Sequence, residues 1–228
     1  MIPEFKQALE EYALARADEQ FMLGPRSAEW QGRGPTSAER EVLARIAQDE
    51  LGHARLWYAW LAEMRGQDPA QYPERPPAEG RCSPLFALPP GDWEFTLARQ
   101  FLLDAWEVAW SDLALTSPMP RIAELAAKIG ADERDHLAQT STWLKRFGRN
   151  AARRRLLQAG FDATWPHTAE LFAATELDTW LLDAKVIPDP AMTRQAWLAL
   201  VDPRLRAAGV FLSEAMSPGG AGGHRFRR

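Results

Sequence analysis

Two segments of this chain carry the same four-residue pattern, Glu50-Leu-Gly-His53 and Glu133-Arg-Asp-His136. No other feature constrains the fold as tightly. A glutamate and a histidine at i and i+3 share one face of a helix. In the first pair that face continues a stripe of Leu43, Ile46 and Leu61, so a carboxylate and an imidazole are directed at the core. The chain has four histidines in 228 residues, and this repeat uses two of them. A fold that employs both pairs needs at least two long helices whose polar groups face inward.

The rest of the chain supplies such helices. Pro3 suits a first helical position, and Phe5, Leu9, Tyr12, Leu14 and Phe21 follow helical spacing, which predicts a helix to about Leu23, stopped at Gly24-Pro25. Thr36 or Ser37 caps a second helix, with Glu39 in a capping-box-like position and Gly66 beyond its end. Residues 66–92 are rich in proline and glycine, cannot form a long helix, and read as a crossover or functional loop. Asp92 caps a third helix from Trp93 to about Leu115. A fourth runs from about Pro120 to Phe147 and ends at Gly148. A fifth is expected from about Ala151 to Ala174, kinked at Pro166. Shorter helices follow at Leu177–Ala184 and from about Ala191 to Trp197 or beyond. No stretch alternates like a strand for long. The expectation is one all-α domain over residues 1–216, with 217–228 as a flexible tail.

The first helix carries Glu19, and the third carries Asp104 and Glu107. With Glu50, His53, Glu133 and His136 on the second and fourth, this is one carboxylate-bearing position on each of two helices and Glu-x-x-His on each of the others. It is the ligand arrangement of a carboxylate-bridged di-iron or di-manganese helical bundle. Paired cations need anionic oxygens to neutralise and bridge them, and each also takes a neutral imidazole. A single Glu-x-x-His occurs by chance on many exposed helices, and the charged neighbours of Glu133 alone would suggest a solvated face. The repeat on the appropriate helices favours the metal reading. Asp104 and Glu107 are themselves i, i+3, so both remain candidates. Asp18 and Asp49 point about 100° away from the adjacent candidates, as caps, surface charges or supporting groups would.

Composition removes several alternatives. The net charge of −4 gives no basic footprint for nucleic acid, and one cysteine, Cys82, rules out a disulfide framework or a cysteine-rich zinc site. No segment approaches the roughly 20 apolar residues of a membrane span, and the charged N-terminal stretch has no apolar signal core, so a cytoplasmic protein is expected. Ten tryptophans imply a large core, a partner surface or both. Arg149, Arg153, Arg154 and Arg155 could meet CoA phosphates or an acidic partner, or simply start a solvated helix.

The segments LGPRSAEW, QDELGHA, FLLDAWEVA and ADERDH together resemble the phenylacetic acid catabolic oxygenase family, over roughly Glu10 to Leu212. The resemblance implies a ferritin-like four-helix bundle with a long crossover and additional C-terminal helices. It implies two iron ions, with manganese or a mixed Fe/Mn pair as alternatives, held by Glu19, Glu50, His53, Asp104, Glu133 and His136. On this comparison Asp104 is favoured over Glu107. No catalytic residue beyond the metal ligands is identified. The implied activity is dioxygen activation in a subunit of an aromatic acyl-CoA, specifically phenylacetyl-CoA, ring epoxidase.

Within that family a catalytic subunit binds the irons, and a paralogous subunit has generally lost the ligands. LGPRSAEW, DAWEVAW and HTAELF look like the structural subunit, whereas QDELGH and ADERDH look like the catalytic one. Expected partners are a paralogous ferritin-like subunit, a separate reductase and a small-molecule acyl-CoA, in an oligomer. A reductase is needed because the chain has no nucleotide-binding glycine motif and no cysteine cluster. The alternatives are a non-catalytic partner subunit, or a ferritin-like metal protein with another oxidative substrate.

Overall fold

The structure is a computed structural model and describes residues 2–72, 82–212 and 226–227. Its elements are α1 (Pro3–Ala28), α2 (Ser37–Arg65), α3 (Pro84–Ala87), α4 (Trp93–Ala114), α5 (Pro120–Gly148), α6 (Ala151–Thr164), β1 (Ala174–Thr175), α7 (Asp178–Asp183), α8 (Pro190–Ala208) and β2 (Phe226–Arg227). The only strands among the described residues are β1 and β2, two residues each and paired in parallel. The class is all-α, as expected. Most of the expected flexible tail, residues 217–225 and 228, lies outside the described residues. No helix among the described residues is long and apolar enough to cross a membrane.

The chain forms two compact units, one of residues 1–89 and 177–184, the other of residues 90–176 and 185–228. In the first unit α1 packs along α2. The Thr36 hydroxyl accepts the Glu39 N–H and donates to the Glu39 carboxylate, which closes the start of α2. Gly66, at φ 63°, ends it in the left-handed conformation that glycine adopts without steric cost. Leu43, Ile46 and Leu61 are buried, as the stripe predicts.

One expected boundary is wrong. α1 does not stop at Gly24-Pro25 but continues to Ala28 with Pro25 inside it. The Pro25 carbonyl still accepts the Glu29 N–H at 3.0 Å, so the last turn closes although Pro25 donates nothing. Gly24 serves proximity instead. A Cβ there would lie 2.7 Å from Leu51 Cγ on α2.

In the second unit α4 packs against α5, α6 and α8 and is buried at nearly every position from Trp93 to Ser111. A helix buried on all sides lies inside a core, and its polar residues there need partners. Asp92 accepts the Phe95 N–H at 2.8 Å and caps it, as expected. Trp197 on α8 stacks on Trp165 at 5.1 Å and donates its indole N–H to the Leu102 carbonyl at 3.0 Å. Phe101 meets Phe161 edge-on at 6.0 Å.

The fifth helix differs from expectation. Pro166 ends it rather than kinking it: α6 stops at Thr164, and short 3-10 turns follow at Trp165–His167 and Ala169–Phe172. Proline cannot supply the next helical N–H. Gly148 closes α5 for a reason of space, since a Cβ there would overlap the Ala208 carbonyl.

Trp57, Trp60, Trp106, Trp110, Trp143, Trp165 and Trp197 are core, and Trp180 is exposed, at 42 %.

Candidate metal centre

Glu19, Glu50, His53, Asp104, Glu107, Glu133 and His136 are all buried. Seven such side chains inside helices whose apolar residues form the core require a physical reason, because an isolated buried charge is strongly unfavourable.

In the second unit, one turn of α5 presents Glu133 and His136 together, with His136 Nδ1 3.4 Å from Glu133 Oε2. α4 brings Asp104 to them. Asp104, Glu133 and His136 each offer a ligand atom within 4.8 Å of the others. Glu107, one turn further along α4, is equally buried but is not part of this convergence.

Two neutral donors aim the Asp104 carboxylate. The Gln100 amide donates to Oδ1 at 2.7 Å and the Thr140 hydroxyl to Oδ2 at 2.8 Å. Each follows a helical spacing, Gln100 four residues before Asp104 and Thr140 four after His136. That regularity is the signal by which the sequence could have revealed them. Burial, and then the nearby Glu133 carboxylate, hold the Asp104 carboxyl well above its ordinary range. His136 and the two donors pull the other way.

In the first unit α2 presents Glu50 and His53, with His53 Nδ1 3.7 Å from Glu50 Oε2. Glu19 on α1 is engaged differently. Its Oε1 accepts the Ser83 N–H at 3.1 Å and its Oε2 lies 3.5 Å from the Arg16 guanidinium. Among the described residues, Glu19, Glu50 and His53 do not form a convergent trio like that of the second unit. Asp18, beside Glu19, is buried and accepts the Tyr58 hydroxyl at 2.5 Å, so it is a supporting group rather than a surface charge. Arg16 lies one turn before Glu19 and was legible in principle. No local pattern announces Ser83.

The convergent trio fits a metal ion. Two carboxylates and one imidazole, directed to a common point and shielded from water, form a hard-to-borderline donor set suited to divalent first-row cations. Hydrogen-bonded outer groups that orient such ligands are the usual companions of metal sites, and Gln100 and Thr140 are placed as such groups are. Two arginines of the basic run are engaged within the chain. Arg153 reaches Glu94 at 2.7 Å, and Arg154 donates to the Gly148 carbonyl at 3.1 Å.

The chain is 33% identical over 193 residues to one of the subunits of 1,2-phenylacetyl-CoA epoxidase from Escherichia coli K12, a match covering 83% of this chain and 78% of that one. Its fold is similar to that of a Synechococcus protein with aldehyde deformylating oxidase activity. The TM-score is 0.69 at 18% identity, with 92% of this chain and 93% of the other covered. The all-α, ferritin-like class expected from the sequence therefore holds. Residues 1–227 match the family described as phenylacetic acid catabolic protein. The chain belongs to the phenylacetic acid catabolic protein family.

Proposed function

We propose that this chain is a subunit of a metal-dependent oxygenase that acts on an aromatic acyl-CoA, and that it binds two iron ions. The observation that carries the reading is the buried convergence of Asp104, Glu133 and His136. Family membership and the 33% identity to an epoxidase subunit support the choice of substrate class. The ligands proposed are Glu19, Glu50, His53, Asp104, Glu133 and His136. Glu107 is left in reserve, buried on the same helix as Asp104.

The residues divide the work by chemistry. Asp104 and Glu133 supply anionic oxygen and His136 an imidazole nitrogen. Gln100 and Thr140 fix the Asp104 carboxylate so that little reorganisation is needed when a cation arrives. Glu50 and His53 offer the same pair of donors from α2. The apolar walls of α4 exclude water, which strengthens every charge interaction within them. When bound, iron supplies the electrons that reduce dioxygen, chemistry that no side chain here can perform. An external reductase would restore those electrons, and a second ferritin-like subunit would complete the complex.

Anaerobic loading of the purified full-length chain with ferrous iron tests the reading. Two irons per chain, reduced in a folded His136→Ala variant, is the expected result. A folded chain that takes up no iron would refute it. It would favour the second reading, a non-catalytic partner subunit, to which the match with one component of a multi-subunit epoxidase lends weight.

A further inference from the structure

We propose that the end of the second unit where α5 and α6 join beside the end of α8 is a docking surface for a partner protein, through a segment of that partner that is both acidic and apolar. None of the side chains involved is a candidate metal ligand.

The cations are already gathered in the sequence. From His136 to Phe161 there is no acidic residue, and Lys145, Arg146, Arg149, Arg153, Arg154 and Arg155 all fall in that stretch. Folding keeps them together and adds the end of α8. Gly148 packs on the Ala208 carbonyl, and Gly209 on the Arg154 side chain, where a Cβ would lie 2.9 Å from Cδ. The Arg146 and Arg153 guanidinium groups both sit over the Phe147 ring, at 4.7 and 5.0 Å. Arg206 stands in the last turn of α8. Glu94 pairs with Arg153 at 2.7 Å. Lys145, Arg149, Arg155 and Arg206 are exposed and form no ion pair among the described residues.

This arrangement is unfavourable for the chain alone. Like charges repel, and α6 has no acid in its first turn, where the helix dipole disfavours Arg153. Anionic groups brought by a partner relieve both.

An apolar feature adjoins the cations. A groove of about 320 Å³ is lined by Leu198, Leu205, Val210 and Phe211, and Arg206 belongs to its wall as well. Asp202 is its one acidic lining residue, against Arg194 and Arg206. Phe211 is 68% exposed, yet its backbone is fixed. Its N–H donates to Gln158 Oε1 at 3.0 Å, and the Gln158 amide donates to its carbonyl at 2.8 Å. An exposed aromatic held in this way loses little freedom when it is covered.

Cations alone would suit any polyanion. The groove and Phe211 select a protein, because they offer apolar contact that a phosphate backbone does not use. Arginine and aromatic side chains together are what the centre of a protein interface is enriched in.

Fluorescence anisotropy provides the test. The probe is a labelled helical peptide with Leu and Phe on one face and Glu on the other, titrated with the full-length chain. It should bind, and less tightly as salt is raised. Peptides with Lys in place of Glu, or Ser in place of Leu and Phe, should bind at least about 10-fold more weakly. Arg149→Glu with Arg155→Glu should weaken binding about 10-fold or more, and Phe211→Ala about 5- to 10-fold. All three positions are exposed, so these variants are expected to fold, which circular dichroism checks. Arg45→Glu with Arg55→Glu, exposed positions on α2 of the first unit, should change nothing.

An equal loss in the α2 variant would mean nonspecific attraction and overturn the proposal. So would unchanged binding in both the arginine and Phe211 variants, or tighter binding of a uridine oligonucleotide than of the peptide. A mass of two chains by light scattering, reduced to one by Arg149→Glu with Arg155→Glu, would make a second copy the occupant and overturn it as well.

Discussion

Thr140 on α5 donates its hydroxyl to Asp104 Oδ2 on α4 at 2.8 Å, and the hydroxyl oxygen lies 3.1 Å from the His136 carbonyl. One small side chain thus sits against two members of the convergent trio. Thr140→Val keeps the shape and removes the donor. Metal affinity is expected to fall about 10- to 100-fold, and Thr140→Ser should recover most of it. A cobalt titration of the three proteins measures this directly. Equal affinities would remove Thr140 from the site.

The raised Asp104 carboxyl has a consequence for stability. Its folded pKa lies above its unfolded value, so the folded chain holds this proton more tightly than the unfolded chain does. As pH rises from the unfolded carboxyl value of about 3.9, the unfolded chain releases its proton first. Stability from this group is complete below that value and is lost as pH rises through the folded pKa. Asp104→Asn should flatten the trend and, without metal, stabilise the chain at neutral pH by about 0.5–2 kcal/mol, while abolishing tight metal binding. Thermal melts of the chelated proteins across pH show either result.

Trp197 is fully buried, stacked on Trp165 and bonded to the Leu102 carbonyl. Trp197→Ala is expected to cost about 3–5 kcal/mol through the cavity it leaves. Urea denaturation provides the number. A cost under about 1 kcal/mol would mean that the pocket collapses around the deletion.

Two glycines should respond in opposite directions. Gly148→Ala places a methyl against the Ala208 carbonyl and should destabilise by about 1–3 kcal/mol. A Cβ at Gly52 meets nothing within 4 Å in α2. Gly52→Ala should therefore stabilise by about 0.5–1 kcal/mol, from helix propensity alone. Parallel melts of the two variants make the comparison.

Much of this was legible because it is local. Caps at Thr36 and Asp92 and the stop at Gly66 are written within one turn of where they act. The inward direction of Glu50 follows from helical spacing against the apolar stripe, and that of Glu133 from the repeat of the same pattern on a second helix. What escaped is what depends on distant parts of the chain. Gly24-Pro25 looks like a stop until Leu51 packs against it. Pro166 resembles a kink until the turns after it are built. Asp104 and Glu107 share a buried helix face, and helical spacing alone cannot choose between them. Position distinguishes the two, since only Asp104 converges with Glu133 and His136. The Ser83 amide that holds Glu19 lies 64 residues further along, and no periodicity connects the two.

The first unit is discontinuous: residues 1–89 are joined by 177–184, with α7 packed on α1. During synthesis, α1 and α2 emerge early and can pair as a local hairpin, a contact of short sequence separation that forms quickly. Their last partner does not exist until residue 184 has been added. At roughly 5–20 residues per second, the nascent hairpin waits several seconds with its α7-binding side uncovered. The segment 90–176, which forms the bulk of the second unit, is made entirely within that interval. This chain therefore begins its first unit before its second and completes the first only after most of the second has been translated. A ribosome stalled before residue 177 would hold a nascent chain prone to capture by chaperones.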